Sequence, residues 1–228
     1  MKYFLRQMES FMTNKISEET DLICSECEKI IVDVMKNIPS ISCADFDDTI
    51  CIDLETTGID KNKSEILQIA IIDGNGNELL NSYVKPYFAK EWRDAEKING
   101  ISPSMVSDAP YFHELIGKIR GIFEKSKIIV GYNHKEFDLA ILNRYGISAE
   151  GKTLADVMLD FAPIYGEWNE ERGDYKWKKL IDCANYFGYK WGEDKAHDGL
   201  ADTRATLYCY HSIKNLKATN EKLEKEFK

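Results

Sequence analysis

The segment Cys51-Ile52-Asp53-Leu54-Glu55-Thr56-Thr57-Gly58 constrains this chain more than any other. From residue 50 to 56, β-branched residues alternate with other side chains, and Thr-Thr-Gly ends the run, the pattern of a strand closed by a turn. Strand side chains point alternately to two faces. Ile50, Ile52 and Leu54 therefore share one face, and Asp53 and Glu55 share the other. Two adjacent carboxylates repel, and burying them unpaired is costly. Either the strand is exposed and both acids are solvated, or a divalent cation sits between them. All-oxygen ligands suit a hard ion such as magnesium or manganese. The pair alone does not separate these alternatives.

The 228 residues suffice for one large domain, or a domain plus an extension. At 43% hydrophobic and 30% charged, the composition is that of an ordinary globular protein. No apolar run reaches membrane-spanning length, and Glu9, Asn14 and Lys15 interrupt any signal-peptide core, so a cytoplasmic protein without a membrane partner is expected. A net charge of −9 argues against coating nucleic acid by charge alone. It leaves room for an enzyme that holds a short strand through metals and a few local cations. Without a secretion signal, the six cysteines do not read as a disulfide framework. Cys24 and Cys27 form the one close pair. No second Cys or His pair lies at zinc-site spacing, so packed thiols are the expectation.

Leu22, Cys27, Ile30, Ile31, Val34 and Ile38 recur at helical spacing until Pro39. Residues 1–48 thus read as a helical extension that either packs on the main domain or serves as a partner-docking arm. Strands follow at 66–73 and 78–84, joined by Gly74-Asn75-Gly76-Asn77, which makes the opening a three-stranded meander. A short helix over 91–98 stops at Asn99-Gly100. Another runs over 111–125 with Asp108 as its cap. A strand at 127–131 leads to a helix at 136–145 closed by Gly146. Residues 153–157 read as a last strand or a switch into helix, and 163–174 as a loop. Helices are expected over 176–187 and from 199 to about 215, separated by a polar connection. The pattern predicts an α/β protein with an antiparallel start and later parallel strands. The main domain is expected over 49–217, followed by a charged tail at 218–228.

Two further segments carry polar residues in a telling order. Asn133-His134-Lys135-Glu136-Phe137-Asp138 opens the helix after the fourth strand, and His197-Asp198-Gly199-Leu200-Ala201-Asp202 opens the last one. Each alone reads equally as helix capping. With Asp53-x-Glu55 they form a set that resembles the DEDD superfamily of 3′-to-5′ exonucleases, in the subgroup with a histidine in the third motif. That family includes the proofreading subunit of bacterial replicative DNA polymerase. The resemblance covers residues 50–212. It implies a ribonuclease H-like mixed sheet flanked by helices, and action on the 3′ ends of single-stranded DNA or of RNA. A polymerase or other protein partner would dock through the N-terminal helix. Residue 99 is Asn where histidine is common in the family.

The resemblance also implies roles. Two divalent cations, magnesium or manganese, about 4 Å apart can activate water and stabilise a leaving oxygen. Asp53, Glu55, Asp138 and Asp202 would hold them, with Asp53 shared. His197 would take the proton of the attacking water. Leu54, Thr56, Thr57, Asn99, Asn133 and Phe137 would contact substrate. His134 reads as exposed. Tyr175-Lys176-Trp177-Lys178-Lys179 interleaves aromatics with cations, as a single-strand platform would. It reads equally as a helix start with Trp177 buried. Trp168 and Trp191 are expected to pack.

Overall fold

The computed structural model describes residues 35–38, 46–192 and 198–226. Strand β1 (Thr49–Thr56) lies at the centre of five. It pairs antiparallel with β2 (Ile66–Asp73), which pairs antiparallel with β3 (Glu78–Tyr83) at the edge. On its other side β1 pairs in parallel with β4 (Ile128–Gly131), and β4 with β5 (Thr153–Asp156). The expected meander and parallel additions therefore form one mixed sheet. Strands buried on both faces read as nearly continuous apolar runs, as β2 does. The Asp73 carboxylate closes the first hairpin by accepting from the amides of Asn75 and Asn77.

Helices cover both faces. Helix α1 (Arg93–Asn99) follows the meander, α2 (Phe112–Lys125) crosses to β4, and α3 (Asp138–Arg144) crosses to β5. Beyond β5 come α4 (Val157–Tyr165), a two-stranded ribbon of β6 (Trp168–Asn169) and β7 (Asp174–Tyr175), α5 (Leu180–Phe187) and α6 (Gly199–Glu226). Ile50, Ile52 and Leu54 pack against Phe112, Ile116 and Ile119 of α2 and Leu142 of α3. Cys51, Ile72 and Val130, on the opposite face, pack under α4, α5 and α6. Met35 is buried in the α2 side of the core, and Arg120 donates to the carbonyls of Met35 and Ile38. Of the expected N-terminal helix only its end, from Met35, is among the described residues; Leu22, Cys24, Cys27, Ile30, Ile31 and Val34 lie outside them.

Several expectations are corrected. Asp108 does not cap α2: the helix begins at Phe112, and Glu114 reaches back to the Tyr111 amide at 2.9 Å. Residues 163–174 are not all loop. Pro163 sits in the final turn of α4, where Val157 and Phe161 are fully buried and hold the helix. The ribbon then forms, and α5 starts only at Leu180. Helix α6 continues to Glu226, through most of the segment read as a tail. No described helix is long and apolar enough to cross a membrane.

Candidate active site

Asp53 and Glu55 project from β1 toward α6, which packs over β1 and β2. Its first turn carries Asp202. One carboxylate oxygen from each of Asp53, Glu55 and Asp202 lies within 4.8 Å of the others. Asp138 arrives from a different direction. It begins α3, is buried, and its Oδ1 accepts from the Leu54 amide at 2.9 Å. The fourth acid is thereby pinned to the strand between the first two.

This convergence is electrostatically unfavourable. Burial pushes Asp53 well above the usual carboxylate range, and the charges of Asp138, Glu55, Asp202 and Asp198 push it further. Burial, then Asp202, raises Glu55 to about 8, although a hydrogen bond from Asn99 opposes the shift. Burial raises Asp138 to about 7 against its own amide and that of Leu54. Convergent carboxylate oxygens that repel one another are the donor set a hard divalent cation takes, so the residues fit such an ion.

The remaining expected site residues are distributed unevenly. Asn99 ends α1, donates to the Thr56 carbonyl at 3.2 Å and accepts from Ile101 at 3.0 Å. The Thr56 hydroxyl donates to the Gly58 carbonyl at 2.7 Å. Thr57 is used on both sides: its amide donates to the Glu65 carbonyl at 2.9 Å, and its hydroxyl accepts from the Glu65 amide at 3.0 Å. Asn133 adopts a left-handed φ of 60°. Phe137 precedes α3 and packs at the edge of the α2 core. His197 lies outside the described residues. The next residue, Asp198, accepts from the amides of Leu200 and Ala201 at the start of α6.

His134 is not exposed as expected. Its accessibility is 0%, and its Nδ1 lies 3.6 Å from Asp156 Oδ2. Gly131 makes room for it: a Cβ there would come within 2.5 Å of the His134 side chain. Trp168 does not pack inside; it is 46% exposed on the ribbon. Trp177 is 52% exposed and precedes α5, so it is no buried helix start. Trp191 does pack against the α6-side core.

Sequence reasoning missed two supporting residues. Gln68, opposite Glu55 in the sheet, accepts from the Gly199 amide at 3.3 Å and donates to Asn81 at 3.0 Å. A lone polar residue inside Ile-Leu-Gln-Ile-Ala was the available signal. Asp156, at the end of β5, accepts from the amides of Asn133 at 3.0 Å and Met158 at 3.1 Å. Burial acts to raise Asp156, but His134 and these donors hold it below its ordinary range. It therefore secures both the turn that leads to Asp138 and the start of α4.

With this geometry in view, the comparisons with known proteins converge. The family described as Exonuclease matches residues 50–210. The "Uncharacterized exonuclease CP81" of Escherichia phage 186 is 35% identical over 171 residues, covering 71% of this chain and 85% of that protein. The DNA polymerase III subunit epsilon of Aquifex aeolicus is 32% identical over 168 residues, covering 72% and 79%. Among solved structures, E. coli exonuclease I in a single-stranded DNA complex superposes with a TM-score of 0.60 at 22% identity, over 75% of this chain and 41% of that one. Exonuclease X with 5′ overhanging duplex DNA gives 0.54 at 20% identity, over 75% and 93%. These two likenesses show a shared fold, and the chain spans about two fifths of exonuclease I. The family match and the closely related sequences establish that the chain belongs to the exonuclease family, in line with the resemblance of its three motifs to the DEDD 3′-to-5′ exonucleases.

Proposed function

We propose that this exonuclease removes mononucleotides from the 3′ ends of single-stranded DNA, using two magnesium or manganese ions. The observation that carries the reading is the meeting of the Asp53, Glu55 and Asp202 oxygens within 4.8 Å. When bound, such ions lower the pKa of water and neutralise charge on the phosphoryl group. Asp53, Glu55 and Asp202, whose oxygens meet, would hold one ion, with Asp53 shared with the second. Asp138, held by the Leu54 amide, supports the second. The backbone of Leu54, Thr56 and Thr57 is the proposed contact to the terminal sugar, and Asn99, which bonds the Thr56 carbonyl, Asn133 and Phe137 are the other proposed substrate contacts. His197 is proposed as the general base on the strength of its motif position. DNA is favoured by the names of the relatives, a polymerase subunit and an exonuclease crystallised with single-stranded DNA. The same polymerase relative supports a polymerase as protein partner, with the N-terminal segment as the docking arm.

The test is degradation of matched DNA and RNA oligonucleotides carrying a 5′ label. Shortening from the 3′ end that stops in chelator and returns with magnesium or manganese is expected, faster on DNA. His197→Ala should lower turnover by about 10²–10⁴-fold and flatten the acidic limb of the pH profile. Full activity in chelator, or efficient cutting of a closed circle, overturns the proposal.

A further inference from the structure

We propose that the β6–β7 ribbon and the segment 176–179 that leaves it form a stacking platform for single-stranded nucleic acid. It would hold the segment on the 5′ side of the nucleotides entering the carboxylate site. This rests on the exonuclease reading and adds to it a second binding surface on the same chain.

A ladder of two residues per strand has little stability of its own, so the ribbon depends on its side chains. The Trp168 ring meets Tyr175 edge-on, with centroids 5.2 Å apart. The Asn169 Oδ1 accepts from the amides of Glu171 and Arg172. The Arg172 guanidinium lies 4.3 Å from the Trp177 ring centre and donates to the Tyr175 carbonyl at 2.7 Å. Lys178 lies 4.3 Å from the ring centre of Tyr165. The rings are held in place and yet remain open to solvent, which core packing does not explain. Isolated exposed rings are ordinary. Here two tryptophans occur on one small ribbon, and one carries a guanidinium.

Location favours a nucleic-acid strand, and local cations support it. Residues 167–179 carry Arg172, Lys176, Lys178 and Lys179 against Glu167, Glu170, Glu171 and Asp174, so this stretch is neutral where the chain as a whole carries −9. Lys176 and Lys178 share Glu167, and through them the Glu167 carboxyl is held down to about 2. Arg172 and Lys179 are left facing solvent. Every base offers a π-face, and aromatic rings beside cations bind single strands with little regard to sequence. The platform is also continuous with the catalytic edge of the sheet. Tyr132, directly after β4 and before Asn133, donates to the Lys178 carbonyl at 2.6 Å. The other arm of the ribbon rises through α4 from Asp156, which also holds the Asn133 amide. Both arms therefore spring from the connection that delivers Asp138.

The test uses the full-length protein and fluorescently labelled DNA oligonucleotides of 4 and 16 nucleotides. Binding is measured with calcium in place of magnesium, and turnover with magnesium. For Trp168→Ala with Trp177→Ala, the dissociation constant and KM of the longer strand should rise about tenfold or more, since stacking is worth roughly 1–3 kcal/mol per base. The 4-mer constants and kcat should stay near wild type. Trp177→Phe should retain most of the affinity, and Arg172→Ala should give a smaller loss. Independently, the 16-mer should quench wild-type tryptophan fluorescence more than the 4-mer does. Equal quenching by the two lengths, or unchanged 16-mer affinity in the double variant, overturns the platform and assigns the ribbon to a protein partner instead. If wild type binds the 16-mer through these rings but hydrolyses nothing, the exonuclease reading fails and the platform stands.

Discussion

The two faces of β1 are built from one strand and behave oppositely. On the α2 side, Ile50, Ile52 and Leu54 sink into an apolar core, and burial there stabilises the fold. On the α6 side, the alternate residues are Cys51, Asp53 and Glu55. There the helix comes close because Ala201 and Ala205 are small and buried. The Cys51 thiol donates to the Thr203 carbonyl at 3.4 Å, and burial together with the Asp53 charge pushes the thiol well above its ordinary range. Repelling acids stay in place because apolar packing on both layers over-determines the strand and helix that carry them. Functional groups of this kind are unfavourable locally and are stabilised by their surroundings.

The sharpest way to break this contrast is Asp53→Asn. Removing the shared ligand should lower turnover by about 10⁴-fold, the order seen when a central catalytic group is lost. In chelator the variant should melt at a higher temperature than wild type, because one repelling carboxylate is gone. A lower melting temperature would show that the acids stabilise the metal-free fold. The opposite face should respond in reverse. Phe112→Ala removes a buried ring whose centroid lies 4.6 Å from that of Tyr145. It should cost about 3–5 kcal/mol in denaturant unfolding, while kcat well below the melting transition stays near wild type.

Asp156→Ala lies between these extremes. It deprives the amides of Asn133 and Met158 of a buried acceptor and removes the carboxylate beside His134, so about 2 kcal/mol of stability should be lost. Calorimetric titration should also show weaker divalent-ion binding, since the turn leading to Asp138 loses its anchor. Unchanged ion affinity would make Asp156 purely structural. The mildest test is pH. Burial raises the folded pKa values of Asp53, Glu55 and Asp138 above the ordinary carboxylate range, so between the ordinary and the folded values the native state binds more protons than the unfolded state. Stability of the metal-free protein should therefore fall as pH rises from about 4.5 toward about 8. The slope is at most about 1.4 kcal/mol per pH unit for each carboxylate. Saturating magnesium should flatten it, and a stability that instead rises over this range in chelator would contradict the burial of the acids.

Much of this was legible in the chain because it is encoded locally. Period-two alternation places Asp53 and Glu55 on one face of β1, and Gly-Asn turns delimit the meander. Other readings failed where a local signal had two meanings. Pro163 reads as a breaker, but a proline near the end of a helix whose apolar face is buried is tolerated. His134 reads as exposed because the motif position is its neighbour Asn133, yet the missing side chain of Gly131 admits its ring. Trp168 reads as a packing residue by its hydrophobicity, and Trp177 reads as buried or exposed alike, yet among the described residues both stand exposed on or beside the ribbon.

The sequence by itself determined the face on which Asp53 and Glu55 stand, since that follows from short-range spacing, and it offered Asp138 and Asp202 as their partners through the resemblance of three ordered motifs to a family. Only the tertiary structure decided that α6 returns across β1 and β2 to bring Asp202 to Asp53, and that Asp138 is tied to the Leu54 amide. It alone shows Gln68 and Asp156 holding the helix starts around the site. Spacing records which way a side chain points but carries no information about which distant segment will cover it. That is decided by how the layers pack, where burial of one apolar face brings along whatever lies on the other.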